Sequence, residues 1–191
     1  MILGPKDLLK LVKTKKLVEG LSERELTNPE GAGFDLRLGE VYSISGNAFL
    51  GETHRKTADI KLVAQYRHIK KISDRIKKSD IKTQKIEIKP GDFFLVKTIE
   101  SVNMPQNLTA SITPRSTTYR SGLFLRTGNV QPGYCGGLIF GLKNEGPITV
   151  EIEMGARFVH IQFSQVKGGG NMYRGQWQGG RVTARKKEKQ V

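Results

Sequence analysis

Read for hydrophobic periodicity, the chain changes character several times. Residues 5–20, PKDLLKLVKTKKLVEG, set Leu8, Leu9, Leu11 and Val12, then Leu17 and Val18, at helical spacing behind Pro5 and ahead of Gly20. That predicts one short amphipathic helix with its lysines in water. Polar residues 27–31 predict a loop. In GAGFDLRLGEVYSI the apolar Phe34, Leu36 and Leu38 alternate with Asp35, Arg37 and Gly39, the period of a half-buried strand. From Ile86 onward strands and turns follow closely: IEIK, a turn at Pro-Gly-Asp, FFLVKTIESV, a break over residues 104–107, then LTASITP, and later two alternating runs around Met154-Gly155. Short strands at this spacing behind a single helix predict a mainly β barrel or sandwich.

Two stretches break the alternation. Residues 51–89 are charged and poor in strand formers, with the run HIKKISDRIKKSDIKTQKIEIK, and read as an excursion over the surface. His54 and His68 have no ligand-type neighbour at short spacing, so no metal role is assigned to them. Residues 167–191 begin KGGGNMYRGQWQGG, too glycine-rich to pack a core, and read as an arm separate from a β domain over 1–166. Yet Tyr173, Arg174, Gln176, Trp177, Gln178 and Arg181 are costly side chains to leave idle, as an arm that closes over a ligand or a neighbouring subunit would explain.

Composition adds limits. The 191 residues suit one domain with extensions, and the lone Cys135 cannot form an intramolecular disulfide. No apolar run is long enough to span a membrane and no long apolar leader opens the chain, so a cytoplasmic protein is expected. A net charge of +14 draws polyanions, whether nucleic acid or a small multiply charged ligand. The lysine-rich run has only Tyr66 to stack on bases, which weighs against a nucleic-acid surface, although a plain polyanion-binding module stays open.

Candidate chemistry concentrates in TPRSTTYRSGLFLRTGNVQPGYCGGLIFGLKNEG, residues 113–146. Arg115 and Arg120 can grip phosphate oxygens as planar forks, Ser116, Thr117 and Thr118 can donate to the same oxygens, and the glycines allow a backbone to approach a ligand. A polar loop with solvated arginines is the plainer alternative.

PRSTTYRSGL followed by GNVQPGYCGGL, with GAGFDLRLG behind a leading helix and a closing YRGQWQGG, resembles the dCTP deaminase and dUTPase superfamily, on its deaminase-like branch. The resemblance covers residues 1 to about 182, the charged excursion excepted. It implies a distorted β-barrel or jelly roll with a short N-terminal helix, assembled as a homotrimer with active sites between subunits. It places Arg115, Ser116, Thr117 and Arg120 on a triphosphate, Thr127, Asn129, Gln131 and Tyr134 on base and sugar, and Tyr173, Gln176 and Gln178 on the closing arm. It also implies dCTP or dUTP as ligand, pyrimidine nucleotide metabolism as the setting, and Mg2+ carried on the triphosphate with no protein side chain as metal ligand.

Two positions depart from that pattern. The deaminase glutamate that activates water falls at Gly141, and the dUTPase aspartate falls at Gln131, an amide that orients water but accepts no proton. Three readings remain: a deaminase-like enzyme with its base relocated to Asp35 or Glu145, a dUTP diphosphatase in which Gln131 positions water, or a nucleotide-binding regulator without turnover. Zinc-dependent deamination is excluded, because one cysteine and no H-x-E cannot build that site.

Overall fold

The computed structural model describes residues 1–67 and 84–183, together with the backbone of residues 188 and 189. His68 and most of the lysine-rich run therefore lie outside the described residues.

The predicted leading helix forms as α1, Pro5–Lys15, with Pro5 in its first turn, Asp7 near the positive end and Lys13 and Lys15 near the negative end. It stops five residues earlier than its periodicity suggests. Lys16 adopts φ 52° and its N–H returns to Val12 O, a cap usually written with glycine. That reversal sends Leu17 and Val18 inward, where both are buried and where β1, Val18–Glu19, pairs with a long strand. The loop expected over residues 27–31 is irregular from residue 28, and a one-turn helix the sequence reading did not predict precedes it: α2, Glu23–Thr27, anchored by Glu25, whose side chain is 1% exposed.

The strands are β2 Gly33–Ser45, β3 Phe49–Leu50, β4 His54–Lys56, β5 Asp59–Gln65, β6 Lys85–Ile88, β7 Phe93–Asn103, β8 Leu108–Pro114, β9 Leu123–Arg126, β10 Cys135–Asn144, β11 Val150–Glu153, β12 Arg157–Gln165 and β13 Glu188–Lys189, with a short helix α3, Ser116–Arg120, after β8. The main sheet runs β8-β12-β2-β7-β10-β9, with β1 added on β7 and β5 on β2. Its two edges meet: Ala110 and Val130 exchange backbone hydrogen bonds, and Thr127 Oγ1 donates to Ile112 O at 2.9 Å. The sheet thus curls into a nearly closed barrel of the distorted type expected, with few free edges.

Alternation fills the interior. Phe34, Leu36 and Leu38 from β2 meet Val96 from β7, Phe140 and Leu142 from β10, and Ile161 and Phe163 from β12, all buried. Leu8 of α1 seals one end.

The charged stretch 51–89 contains more strand than its composition predicts. β5 pairs with residues 40–45 of β2, and β6 pairs with β11. Pairing partners distant in sequence stabilise these strands where local propensity is weak.

Candidate functional site

One apolar cleft of about 480 Å³ opens beside the hairpin that follows β9. Its floor is Leu138, Ile139 and Phe140 of β10 with Leu95 of β7. One wall is residues 128–131 with Tyr134, and the opposite wall is Ile44, Thr57, Ala58 and Ile60 from β2 and the approach to β5. Tyr173, Trp177 and Arg181 of the arm complete it. The volume suits a nucleoside-sized ligand, and apolar walls with a few polar groups are the usual make-up of such sites. Among the lining residues there is no aspartate, glutamate or histidine.

The turn at the mouth is the Gln-Pro-Gly-Tyr singled out in the sequence. Tyr134 N–H donates to Gln131 O, with Gly133 at φ 76°. Tyr134 points inward, its hydroxyl donating to Gly137 O at 2.7 Å, and burial together with the neighbouring Tyr173 pushes its pKa up to about 12. The phenol therefore stays protonated at neutral pH.

The arm lies on this hairpin. Tyr173 N–H donates to Pro132 O at 2.7 Å, and Gly179 N–H donates to Cys135 O at 2.7 Å. Gln178 accepts from Cys135 N–H and donates to Gly133 O at 2.9 Å, while the Tyr134 and Tyr173 rings meet edge to face at 5.4 Å. Such close approach needs glycine on both sides: a Cβ on Gly136, where φ is 128°, would sit 2.3 Å from Gly180 N. Gln176 is half-buried in the same segment, and it does not line the cleft.

A second constellation forms around Asp35, where β2, β12 and the start of α3 converge. Asp35 is 5% exposed. One of its oxygens receives Arg115 Nη1 at 2.9 Å and Arg157 Nη1 at 3.0 Å, and the other faces His160 Nδ1 at 3.1 Å. Arg24 stands 3.8 Å away. Glu25 accepts the Asp35 backbone N–H at 3.0 Å and pairs closely with Arg24. Burial pulls the Asp35 carboxyl upward, but the His160 hydrogen bond and the charges of Arg115, His160 and Arg157 outweigh it and hold it below the usual carboxyl range. A carboxylate stabilised in this way is a poor proton acceptor near neutrality.

The sequence-predicted residues are thus divided between two places. Asn129, Gln131, Tyr134 and Tyr173 meet at the cleft. Arg115 belongs to the charged cluster, and Ser116, Thr117 and Arg120 sit exposed on α3, outside the cleft lining of this chain. Thr118 is buried and bonded to Phe158 O. Thr127 is spent on Ile112 O, bracing the barrel edge. Glu145 pairs with Arg126 at 3.0 Å, also outside the cleft lining. Gly141 is buried, and a Cβ there would meet the Phe93 ring at 3.0 Å. Arg157, His160 and Glu25 were not among the sequence candidates.

The structure is thus a curled antiparallel barrel with a nucleoside-sized cleft beside a P-G-aromatic turn and a glycine-rich arm laid on it. A family model described as dCTP deaminase-like matches residues 2–166, and the chain belongs to that family. A dCTP deaminase of Thermococcus kodakarensis is 29% identical over 179 residues, 93% of this chain and 95% of its own. One of Pyrobaculum islandicum is 30% identical over 182 residues, 95% of this chain and 93% of its own. A dUMP-forming dCTP deaminase of Dictyoglomus turgidum is 28% identical over 168 residues, 85% of this chain and 79% of its own. Among solved structures, a 2'-deoxycytidine 5'-triphosphate deaminase from Agrobacterium tumefaciens superposes with a TM-score of 0.61 at 18% identity, over 85% of this chain and 47% of that one. That likeness speaks to the fold, and this chain spans about half the length of that protein.

Proposed function

We propose that the protein binds a pyrimidine deoxynucleoside triphosphate, with base and sugar in the apolar cleft, and that it does so without the deaminase carboxylate. The observation that carries this reading is the cleft lining: Asn129 and Gln131 supply polar groups and Tyr134 an aromatic wall, while the lining holds no carboxylate. General-base assistance is worth roughly 10²–10⁴-fold. A site without it keeps affinity while turnover falls.

Arg115, Ser116, Thr117 and Arg120 of a neighbouring copy complete the site at its phosphate end, which makes the protein a homotrimer. Exposed apolar side chains on the sheet support assembly: Leu62, Phe93 and Phe124 are 46%, 37% and 40% exposed. Among the described residues no cluster of three His, Cys, Asp or Glu side chains is placed to hold a metal. Magnesium would arrive on the triphosphate oxygens. Among the described residues no helix is long and apolar enough to cross a membrane.

Gln131 supports one further reading. It is exposed and lines the cleft, and an amide can orient water without accepting its proton, so dUTP hydrolysis to dUMP is the second reaction proposed. Incubation of the protein with dCTP, dUTP and Mg2+, resolving ammonia, pyrophosphate and dUMP, tests both. Saturable binding of both nucleotides with ammonia at background supports the proposal. Rapid ammonia release from dCTP would overturn it. Installing the missing carboxylate is the complementary test. Gly141→Glu alone meets Phe93, so Gly141→Glu with Phe93→Ala should gain dCTP deamination where the single variant does not.

A further inference from the structure

We infer that Arg157 is a second phosphate-gripping guanidinium, paired with Arg115 across Asp35 to form a two-arginine seat for a polyphosphate. The inference rests on the nucleotide-binding reading above and adds a residue to it.

Strand parity is the first argument. In β12, Ile161 and Phe163 face the core and His160 faces out, directly opposite Asp35 in the register with β2. Uninterrupted alternation would put Arg157 on the core side. A bulge between Arg157 and Val159 prevents this: Phe158 and Val159 are both buried, and Arg157 emerges on the face of His160. Bulges commonly re-aim one side chain in this way. The same bulge fixes Arg115, whose backbone N–H donates to Phe158 O at 3.0 Å. One backbone irregularity thus delivers both guanidinium groups to one carboxylate oxygen.

Unspent donors are the second argument. A guanidinium carries five N–H groups in a planar fork. Arg115 engages only Asp35 among the described residues, and Arg157 engages Asp35 at 3.0 Å and Glu25 more loosely at 4.0 Å. Their side chains are 26% and 33% exposed, above an Asp35 side chain that is 6% exposed. The buried acid holds the two forks, which stay partly exposed, and Arg115 is followed directly by the exposed Ser116 and Thr117. Linked phosphates present oxygens at the spacing such a pair of forks can share. A purely structural arginine, placed to neutralise Asp35 and Glu25, would have been served by Arg24 and Arg115 without a bulge.

Calorimetric titration with dUTP, dUMP, deoxyuridine and inorganic tripolyphosphate separates the possibilities, using the full chain and its Arg157→Ala and Arg157→Lys variants. The expected result is a loss of about tenfold or more in dUTP and tripolyphosphate affinity for Arg157→Ala. Deoxyuridine binding should be unchanged, dUMP binding should lie between, and Arg157→Lys should recover part of the loss. Thermal melts of each variant identify any general loss of structure, which would weaken all four ligands together. Equal dUTP affinity in the native protein and in a folded Arg157→Ala variant overturns the inference while leaving nucleotide binding intact. No binding of dUTP to the native protein overturns the nucleotide reading itself. Should Arg157→Ala weaken deoxyuridine as much as dUTP, the role is structural and the inference falls.

Discussion

The apolar cleft and the Asp35 cluster sit on the same barrel and are built in opposite ways. The cleft is assembled from segments distant in sequence, residues 44–60, 128–140 and 173–182, and is held by backbone contacts and apolar walls. The cluster is held by charge: two buried carboxylates, three arginines and a histidine. A flat, largely uncharged base is recognised by shape and desolvation, whereas linked phosphates need preset cations, so the difference matches the two ends of a nucleotide. For the proposed ligand neither region would suffice alone: the cleft lining carries one cation, Arg181, and the arginine cluster lies outside that lining.

Removing the arm strikes the cleft hardest. Truncation after Lys167 deletes Tyr173, Trp177 and Arg181 and uncovers Tyr134. Losing the half-buried Tyr173 and Trp177 together with Arg181 should cost about 2–4 kcal/mol in nucleotide affinity. The barrel core contains none of the removed residues except the partly buried Tyr173 at its margin, so unfolding should stay cooperative. Titration and melting of the truncated chain check both halves, and near-native affinity would make the cleft independent of its cover.

Asp35→Asn is the corresponding blow to the cluster. It leaves Arg115, Arg157 and Arg24 facing an amide, and an uncompensated, partly buried charge group should lower stability by about 2–4 kcal/mol. The sign of its pH dependence follows from the lowered folded-state pKa of Asp35. Its contribution is present above the ordinary carboxyl range and is lost as pH falls through that lowered value. Melting temperatures of the native protein and the variant should therefore converge on acidification and diverge toward neutrality. A constant gap across that range would mean the carboxylate is not what holds the arginines.

The two regions also differed in how far they could be read before folding. The barrel strands were legible because Phe34, Leu36 and Leu38, like Ile161 and Phe163, announce an inner face at period two. The turn around Pro132-Gly133 and the costly aromatics of the arm pointed to the cleft. What was not legible depends on partners chosen in three dimensions. Nothing local tells Thr57 or Ile60 that it walls a cleft, since that follows from β5 pairing with β2. Helix α1 stops short of its signal in the sequence because Lys16, not Gly20, takes the left-handed cap. Glu25 carries no local sign of burial and is buried because Arg24 and the Asp35 N–H receive it. Arg157 was hidden by the bulge, which reverses the parity that alternation assigns.

A change at Arg115 is milder and sharper. Arg115→Ala should leave the cleft walls and their affinity for a deoxynucleoside as they are, and weaken a triphosphate by about 1.5–3 kcal/mol through lost charge-assisted bonds. Titrating both ligands gives the comparison directly. Equal weakening of the two would show that the cluster shapes the cleft and that the regions are not separable.

Glu145 marks the outer limit of both regions. It was the carboxylate nearest in sequence to the vacant position at 141, three residues beyond Lys143's neighbour Leu142 on β10, and pairing of that strand end with β9 carries it away from the cleft floor. Its partner Arg126 has a side chain 67% exposed, and Glu145 itself is 32% exposed, so the pair is worth little in water, about 0.2–1 kcal/mol. Glu145→Gln should accordingly shift the melting temperature marginally and leave nucleotide binding, and any dUMP or ammonia formed, at native levels. Were product formation instead to collapse while binding survived, Glu145 would be reaching a ligand from one subunit into the site of the next, and the division between an enclosed nucleoside end and a charged phosphate end would need a third, catalytic member.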